Sequence, residues 1–513
     1  MMADRLATGV GGRWGRVMND ENGDQGRQPP DPLTFTREGE TGLAEARRSE
    51  LQGGSLNLTH TVFQSVTNMA PAAAIVYDFP LQAGVAAAGA ALVLGNVVAL
   101  IGIVLVAFTV TEFARKLPSA GGYFTYISRS LGPKAGTYTG WTFFLYSLVL
   151  PAEVTIIWAG ITQGLVLQYM HIHVSWIFFE ALILAVVALL SYTGVRRSAR
   201  VAMIAGSIEI LIFVALSVAW LANPASPVNL KPFLPSSSPT GWAGVLGLGM
   251  VFGILNFVGF EGAAPLGEET ADSKRNVPRA VMGSAIAIGV LYVFVSFATV
   301  FGWGFNHIAS FATSAAPYNA LASRVWGPAW LFVYFAITNS SFACSMAIGN
   351  QASRVLYAMG RVDLLPTSLS RTHPRYKTPF VAVLTQASMT FLIALVAGLI
   401  WGTINGFGVL ATTLVIGAVI VYCLGAIGLP ILYRREHPSE FNPLKHIVVP
   451  LLALSLLVYV MYRTVWPVPA YPFNVPAYLS MVWIVLGFGF VAMVARRGKG
   501  RLDEAGDLFS SES

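Results

Sequence analysis

Long apolar runs recur along this chain, and they decide what it can fold into. They lie near 57–80, 86–112, 136–166, 174–193, 200–222, 243–263, 279–304, 329–358, 378–401, 407–433, 447–464 and 474–495. A run of roughly 18 or more apolar residues is long enough to cross a bilayer as a helix. Inside lipid the backbone must satisfy its own polar groups, which favours helices over any open strand. The expected fold is therefore an all-α integral membrane protein with twelve transmembrane helices. Composition agrees, with 55% hydrophobic and 11% charged residues against about 25% charged in soluble domains. Several runs exceed the roughly 20 residues needed to cross, so those helices tilt, kink or extend beyond the lipid.

The net charge of +7 invites a nucleic-acid reading, but its distribution does not support one. With the N-terminus placed in the cytoplasm and loops assigned alternately, all basic residues except Lys231, Arg324 and Arg463 fall inside. This is the positive-inside bias of a membrane protein. It implies an even number of spans, both termini cytoplasmic, and a multi-pass protein of the plasma membrane. Residues 1–56 are polar, lack the apolar core of a signal peptide, and read as a disordered cytoplasmic tail. Residues 57–495 form the transporter-like body and 496–513 a second cytoplasmic tail. Cys344 and Cys423 both lie in apolar runs, so no disulfide framework is expected.

Two of the runs carry helix-breaking residues. The first contains Ser65-Val66-Thr67-Asn68-Met69-Ala70-Pro71, and the second Asn256-Phe257-Val258-Gly259-Phe260-Glu261-Gly262. Irregular backbone at membrane depth is tolerated only where protein or a water-filled cavity satisfies it. A matched pair of such breaks points to a midplane substrate site in a secondary transporter. If spans one to five and six to ten are inverted repeats, the broken spans 1 and 6 occupy equivalent places, and the last two spans are accessory.

The inner loops hold motif-like sequence. Pro118-Ser119-Ala120-Gly121-Gly122-Tyr123 follows the second span, Glu268-Glu269 leads to Pro278-Arg279-Ala280 after the sixth, and Arg354-Val355-Leu356-Tyr357-Ala358-Met359-Gly360-Arg361 runs on to Leu365-Pro366 after the eighth. Together with Phe257-Val258-Gly259-Phe260-Glu261, and in this order, these segments resemble the amino acid–polyamine–organocation (APC) superfamily of permeases over residues 57 to about 495. The resemblance implies the five-plus-five inverted-repeat, leucine-transporter-like fold, alternating access, and amino acids as the commonest cargo. Proton coupling, sodium coupling and exchange all occur in that superfamily.

A broken helix exposes N–H groups on one half and carbonyls on the other. The N–H groups suit a carboxylate and the carbonyls an ammonium. The carboxylate of an amino acid would lie against the half starting near Ala70, flanked by Ser65, Thr67 and Asn68. Its ammonium would meet carbonyls near Ser65–Thr67 and Phe257–Gly259. Gly259 would let the backbones approach, and Phe257 and Phe260 are candidates for the side-chain pocket and for gating.

Ionisable residues within spans are functional candidates by default: Glu153, Glu180, Glu209 and Glu261. Glu261 matches the superfamily's Phe-Glu pair and is expected to gate or brace the break. Glu153 is expected to line the cavity and Glu180 to reach the headgroups. Glu209 falls at or near the position where some proton-coupled relatives carry a lysine in place of a sodium ion. A carboxyl withdrawn from water favours its neutral form, so Glu209 is a candidate proton carrier or sodium ligand. Ser340, Ser341 and Ser345 could offer cation oxygens, although small residues also serve helix packing.

The chain carries no enzyme signature, no metal-spaced histidine cluster and no phosphate-cradling Gly-Lys-Ser/Thr loop. No cofactor is expected, only a proton or sodium as coupling ion. The expected partners are a small-molecule amino acid and the lipid bilayer, with no nucleic acid. The sequence holds no signal for oligomeric state. A polyamine or organic-cation transporter of the same fold would need extra carboxylates in its pocket, for which Glu153 and Glu209 are available. A non-transporting amino-acid receptor would use the N-terminal tail as its output.

Overall fold

The computed structural model describes residues 54–496, apart from 85–87, 194, 315 and 362–363. The N-terminal tail up to residue 53, the C-terminal tail from 497 and Asp363 of the motif block lie outside the described residues. So do the side chains of Arg196, Arg197 and Arg200.

Helices make up the body, and no strand is present among the described residues beyond one isolated bridge between Leu56 and Thr270. The principal helices are α1 (Leu58–Asn68), α2 (Leu92–Lys116), α3 (Pro133–Met170), α4 (Trp176–Thr193), α5 (Val195–Ala222), α6 (Leu248–Leu255), α7 (Ser273–Trp303), α8 (Leu331–Arg361), α9 (Phe380–Glu436), α10 (Val449–Val465) and α11 (Val475–Arg496). Eight helices among the described residues are long and apolar enough to cross a membrane, and shorter apolar helices cover Gly206–Ala222 and Trp242–Leu255.

Local chemistry sets the boundaries. Asn57 caps α1 by accepting the His60 N–H at 3.0 Å, which satisfies one of the free donors of a first turn. α2 stops at Lys116, just before Leu117-Pro118, because the residue before proline leaves the helical region. A straight α9 of 57 residues would run about 85 Å at 1.5 Å per residue, far more than a bilayer core of about 30 Å. The chain escapes this at Gly402, where φ 74 and ψ 169 interrupt the helix and only glycine sits without strain. The break falls between the expected spans 378–401 and 407–433.

The outer surface is apolar where a soluble protein would be polar. Leu182 and Leu189 on α4, Leu451 and Val458 on α10, and Val485 and Phe488 on α11 are exposed. A contiguous surface of this kind needs lipid against it. α11 is tied to the body through Trp141 of α3 and Trp483, stacked at 4.3 Å between ring centroids. The connection expected at 222–242 contains two short turns, Lys231–Phe233 and Pro235–Ser237. The one expected at 305–328 holds two helices, Ile308–Thr313 and Pro317–Trp326.

One sequence expectation is overturned by packing. Glu180 does not reach the headgroups. It is fully buried, and its Oε1 accepts the Thr155 hydroxyl of α3 at 2.7 Å.

Candidate functional site

Both interrupted runs are broken in the folded chain, and the breaks touch. α1 ends at Asn68, and Ala70 adopts φ 44, ψ 61 before helix resumes at Pro71–Ala73. A non-glycine residue in this left-handed region is uncommon; proline at the next position supplies the preset φ for the new helix start. The second run stops at Leu255 and continues as turns through 256–263, with Gly259 at φ 100. A Cβ on Gly259 would lie 2.8 Å from the Asn68 carbonyl oxygen, so only glycine allows this approach. The Tyr292 hydroxyl of α7 reaches the carbonyls of both breaks, Met69 O at 3.1 Å and Asn256 O at 2.9 Å. Ser65 reaches across as well, its Oγ accepting the Ala263 N–H at 3.0 Å.

A small cavity of about 20 Å³ lies at the first break, room for about one water-sized group. Asn68, Ala70, Tyr77, Asp78, Glu153 and Phe407 are among the residues lining it, with Leu150, Val154, Leu255 and Val258. Asn68 also begins a hydrogen-bond chain. Its Nδ2 donates to Gln351 Oε1 at 2.6 Å, Gln351 Nε2 donates to the Tyr146 hydroxyl at 3.0 Å, and Tyr146 donates to Glu261. Tyr422 donates to the other Glu261 oxygen at 2.8 Å. A carboxylate that accepts at both oxygens is the natural end of such a chain, so the donors all run from Asn68 towards Glu261. Asn68 Oδ1 is left facing no donor.

The expected site residues divide. Asn68, Ala70 and Glu153 line the cavity. Gly259 lies outside the lining and holds the second break against Asn68. Glu261 braces the break through two tyrosines. Thr67 turns back on its own helix, donating to Phe63 O at 2.7 Å. Phe257 packs edge-on against Tyr292 at 5.3 Å, and Phe260 lies 5.5 Å from Tyr422; neither lines the cavity. Glu209 is buried on α5 beside Ser340, away from the cavity lining. Ser340, rather than Ser341, accepts a hydrogen bond from the first broken run, the Ala73 N–H at 3.2 Å; Ser341 is buried close by on α8.

Sequence reasoning missed Asp78, Tyr77 and Phe407. Asp78 was within reach, being an acid inside the first apolar run, where an ionisable residue is a functional candidate. Tyr77 and Phe407, whose rings meet edge-on at 5.7 Å, carry no such signal.

The motif segments come together. Arg354, buried on α8, pairs with Glu269 at 2.6 Å and also donates to Asn350 O at 2.9 Å. Arg361 lies 3.6 Å from Glu268, which accepts the Ala120 N–H at 2.9 Å. Leu56 pairs across, its N–H to Glu269 O at 3.0 Å and its carbonyl to the Ala271 N–H at 2.9 Å. The segments at 118–123, 268–280 and 354–366, distant in sequence, thus meet as one latch.

The sequence profile of the family described as amino acid permease matches residues 56–490. The branched-chain amino acid permease BcaP of Bacillus subtilis (strain 168) is 26% identical over 436 residues, 81% of this chain and 88% of that protein. Cationic amino acid transporter 5 of Arabidopsis thaliana is 26% identical over 381 residues, 72% of this chain and 64% of its own. The low-affinity putrescine importer PlaP of Escherichia coli (strain K12) is 27% identical over 300 residues, 57% of this chain and 65% of its own. Their names give three different cargoes at nearly equal identity, so similarity alone does not choose among them.

Proposed function

The chain belongs to the amino acid permease family, and from that premise we propose that it is a secondary active transporter of amino acids working by alternating access with proton symport. As a permease it is a multi-pass membrane transporter and not an enzyme. The observation that carries the proposal is the meeting of two broken helices at one small cavity, with Gly259 against Asn68. Free backbone groups at such ends can hold both poles of a zwitterion. We read the two breaks as equivalent members of a five-plus-five inverted repeat within twelve spans. The latch of Arg354, Glu269, Glu268 and Leu56 then closes the cytoplasmic end, the side that the basic loops favour.

Proton coupling is assigned to Glu209. It is buried beside Ser340, and Ser340 holds the Ala73 N–H just past the first break. A change in its charge can therefore reach the broken helix through one hydroxyl.

The test is uptake into proteoliposomes of the purified full-length protein, with labelled amino acids and an acidic exterior. Accumulation above equilibrium is expected for the natural sequence. Glu209→Gln is expected to abolish gradient-driven accumulation while counterflow persists; unchanged accumulation removes Glu209 from the mechanism. Gly259→Val is expected to eliminate binding, and normal affinity in that variant refutes the site. Binding without counterflow of any cargo would favour a receptor.

A further inference from the structure

We propose that Asp78 and Glu153 form a subsite for a protonated amine, so that the cargo is a small alkylammonium compound of net positive charge. The assignment takes its setting from the transport reading above and narrows it to one class of cargo.

Four side-chain oxygens in the lining of the cavity lack a hydrogen-bond partner: the Tyr77 hydroxyl and three acceptors, Asn68 Oδ1, Asp78 Oδ1 and Glu153 Oε2. The residues of the three acceptors are 0%, 7% and 4% exposed. Water outside the protein therefore cannot satisfy them, and a buried acceptor without a donor is costly. No lining residue is basic. The polarity of the Asn68–Gln351–Tyr146–Glu261 chain keeps the Asn68 amide from rotating to present its donors instead. The cavity is thus an acidic site in which orphaned acceptors outnumber the one free hydroxyl, that of Tyr77, at the point where the helix is broken.

An alkylammonium group brings three N–H donors and a positive charge. It can donate to the orphan acceptors of Asn68, Asp78 and Glu153, and it is the size of the one group the cavity admits. The remaining wall is carbon, from Leu150, Val154, Leu255 and Val258, which suits methylenes and not a hydrated ion. Tyr77 and Phe407 also line it, and aromatic faces attract an alkylammonium. Bare metal cations of the hard type want more oxygens around them, six to eight for calcium.

Charge balance argues for a cargo beyond a neutral zwitterion. A zwitterion adds its own carboxylate to a pocket already lined by two acidic side chains. A cationic amino acid brings a surplus positive charge, and a diamine brings two. Both present the same chemistry to Asp78 and Glu153, a primary ammonium on a short alkyl chain.

The experiment is equilibrium binding and counterflow with four probes on the full-length protein. L-lysine is compared with L-norleucine, which lacks only the terminal amine, and putrescine with 1,4-butanediol, which carries hydroxyls in place of both amines. The expected result is at least tenfold tighter binding of lysine over norleucine, of putrescine over butanediol, or of both. Preference in the lysine pair identifies a cationic amino acid, and preference in the putrescine pair a diamine. Glu153→Gln and Asp78→Asn are each expected to erase that preference, bringing lysine or putrescine affinity down to that of norleucine or butanediol in the same variant. Equal affinity within both pairs of the natural protein, or no binding of any probe, overturns the subsite without recourse to variants. Counterflow of norleucine with no preference for lysine overturns the subsite and leaves the transport reading standing. Selective lysine or putrescine binding without counterflow keeps the subsite and overturns transport.

Discussion

Glu261 and the Asp78–Glu153 pair are both buried acids at the helix breaks, and they are treated in opposite ways. Glu261 is fully enclosed, yet both of its oxygens accept from tyrosine hydroxyls supplied by α3 and α9. Asp78 and Glu153 face a cavity with an oxygen each left without a donor. Asn68 joins the two regions through opposite ends of one amide, its nitrogen committed towards Glu261 and its oxygen left to the cavity. The difference teaches how to separate bracing from binding. A buried charge whose partners are all internal holds the fold together. One whose partners are missing beside a cavity is a candidate for binding something that comes and goes.

The comparison can be broken by stability measurements on purified protein. The largest effect is expected at Arg354, which extends the internally partnered class. Arg354→Ala strands Glu269 in the interior and should cost about 3–5 kcal/mol, the range for removing one partner of a buried pair; chemical or thermal unfolding in detergent reads this directly. Next comes Tyr422→Phe, which deprives Glu261 of one donor and should cost about 1–3 kcal/mol. Glu153→Gln removes no internal partner, so its stability should stay within about 1 kcal/mol of the natural protein while amine binding falls. A destabilisation by Glu153→Gln as large as that of Tyr422→Phe would mean the two regions do not differ.

The smallest effect is expected on the surface, where solvent weakens every pair. The hydrogen bond from Lys116 Nζ to Glu440, at 2.7 Å, and the charge of that lysine hold the Glu440 carboxyl below its ordinary value of 4.5. A depressed carboxyl stabilises the folded chain above its unfolded value, and the contribution is lost as pH falls through the folded one. Glu440→Gln should therefore differ slightly from the natural protein at neutral pH, with the gap closing in acid. A pH series of melting curves checks the sign.

Much of this architecture was legible. The apolar runs located the helices, and the residue types at 65–71 and 256–262 located both interruptions. Glu153 was legible as an acid inside a span. Thr67, Phe257 and Phe260 were read as substrate-binding, and they lie outside the lining of the cavity. Past a break, the helical phase that relates one residue's facing to the next is reset. At Ala70 the backbone turns through a left-handed conformation, and no periodicity counted from α1 survives it. Glu180 was misplaced for another reason. Its depth depended on Thr155 of a neighbouring helix, which position along its own run does not reveal.

What the sequence by itself determined is everything governed by local length and local backbone chemistry. That covers which segments are apolar enough to cross, where proline and glycine forbid continuous helix, and which side the arginines favour. Only the tertiary structure decided which buried oxygens have partners. Asn68 finds its acceptor in Gln351, 283 residues away, and Asp78 and Glu153 line one cavity although they lie on different helices. Hydrogen bonding is short-ranged and directional, so whether an acid is satisfied or waiting depends on distances that exist only after the helices have packed.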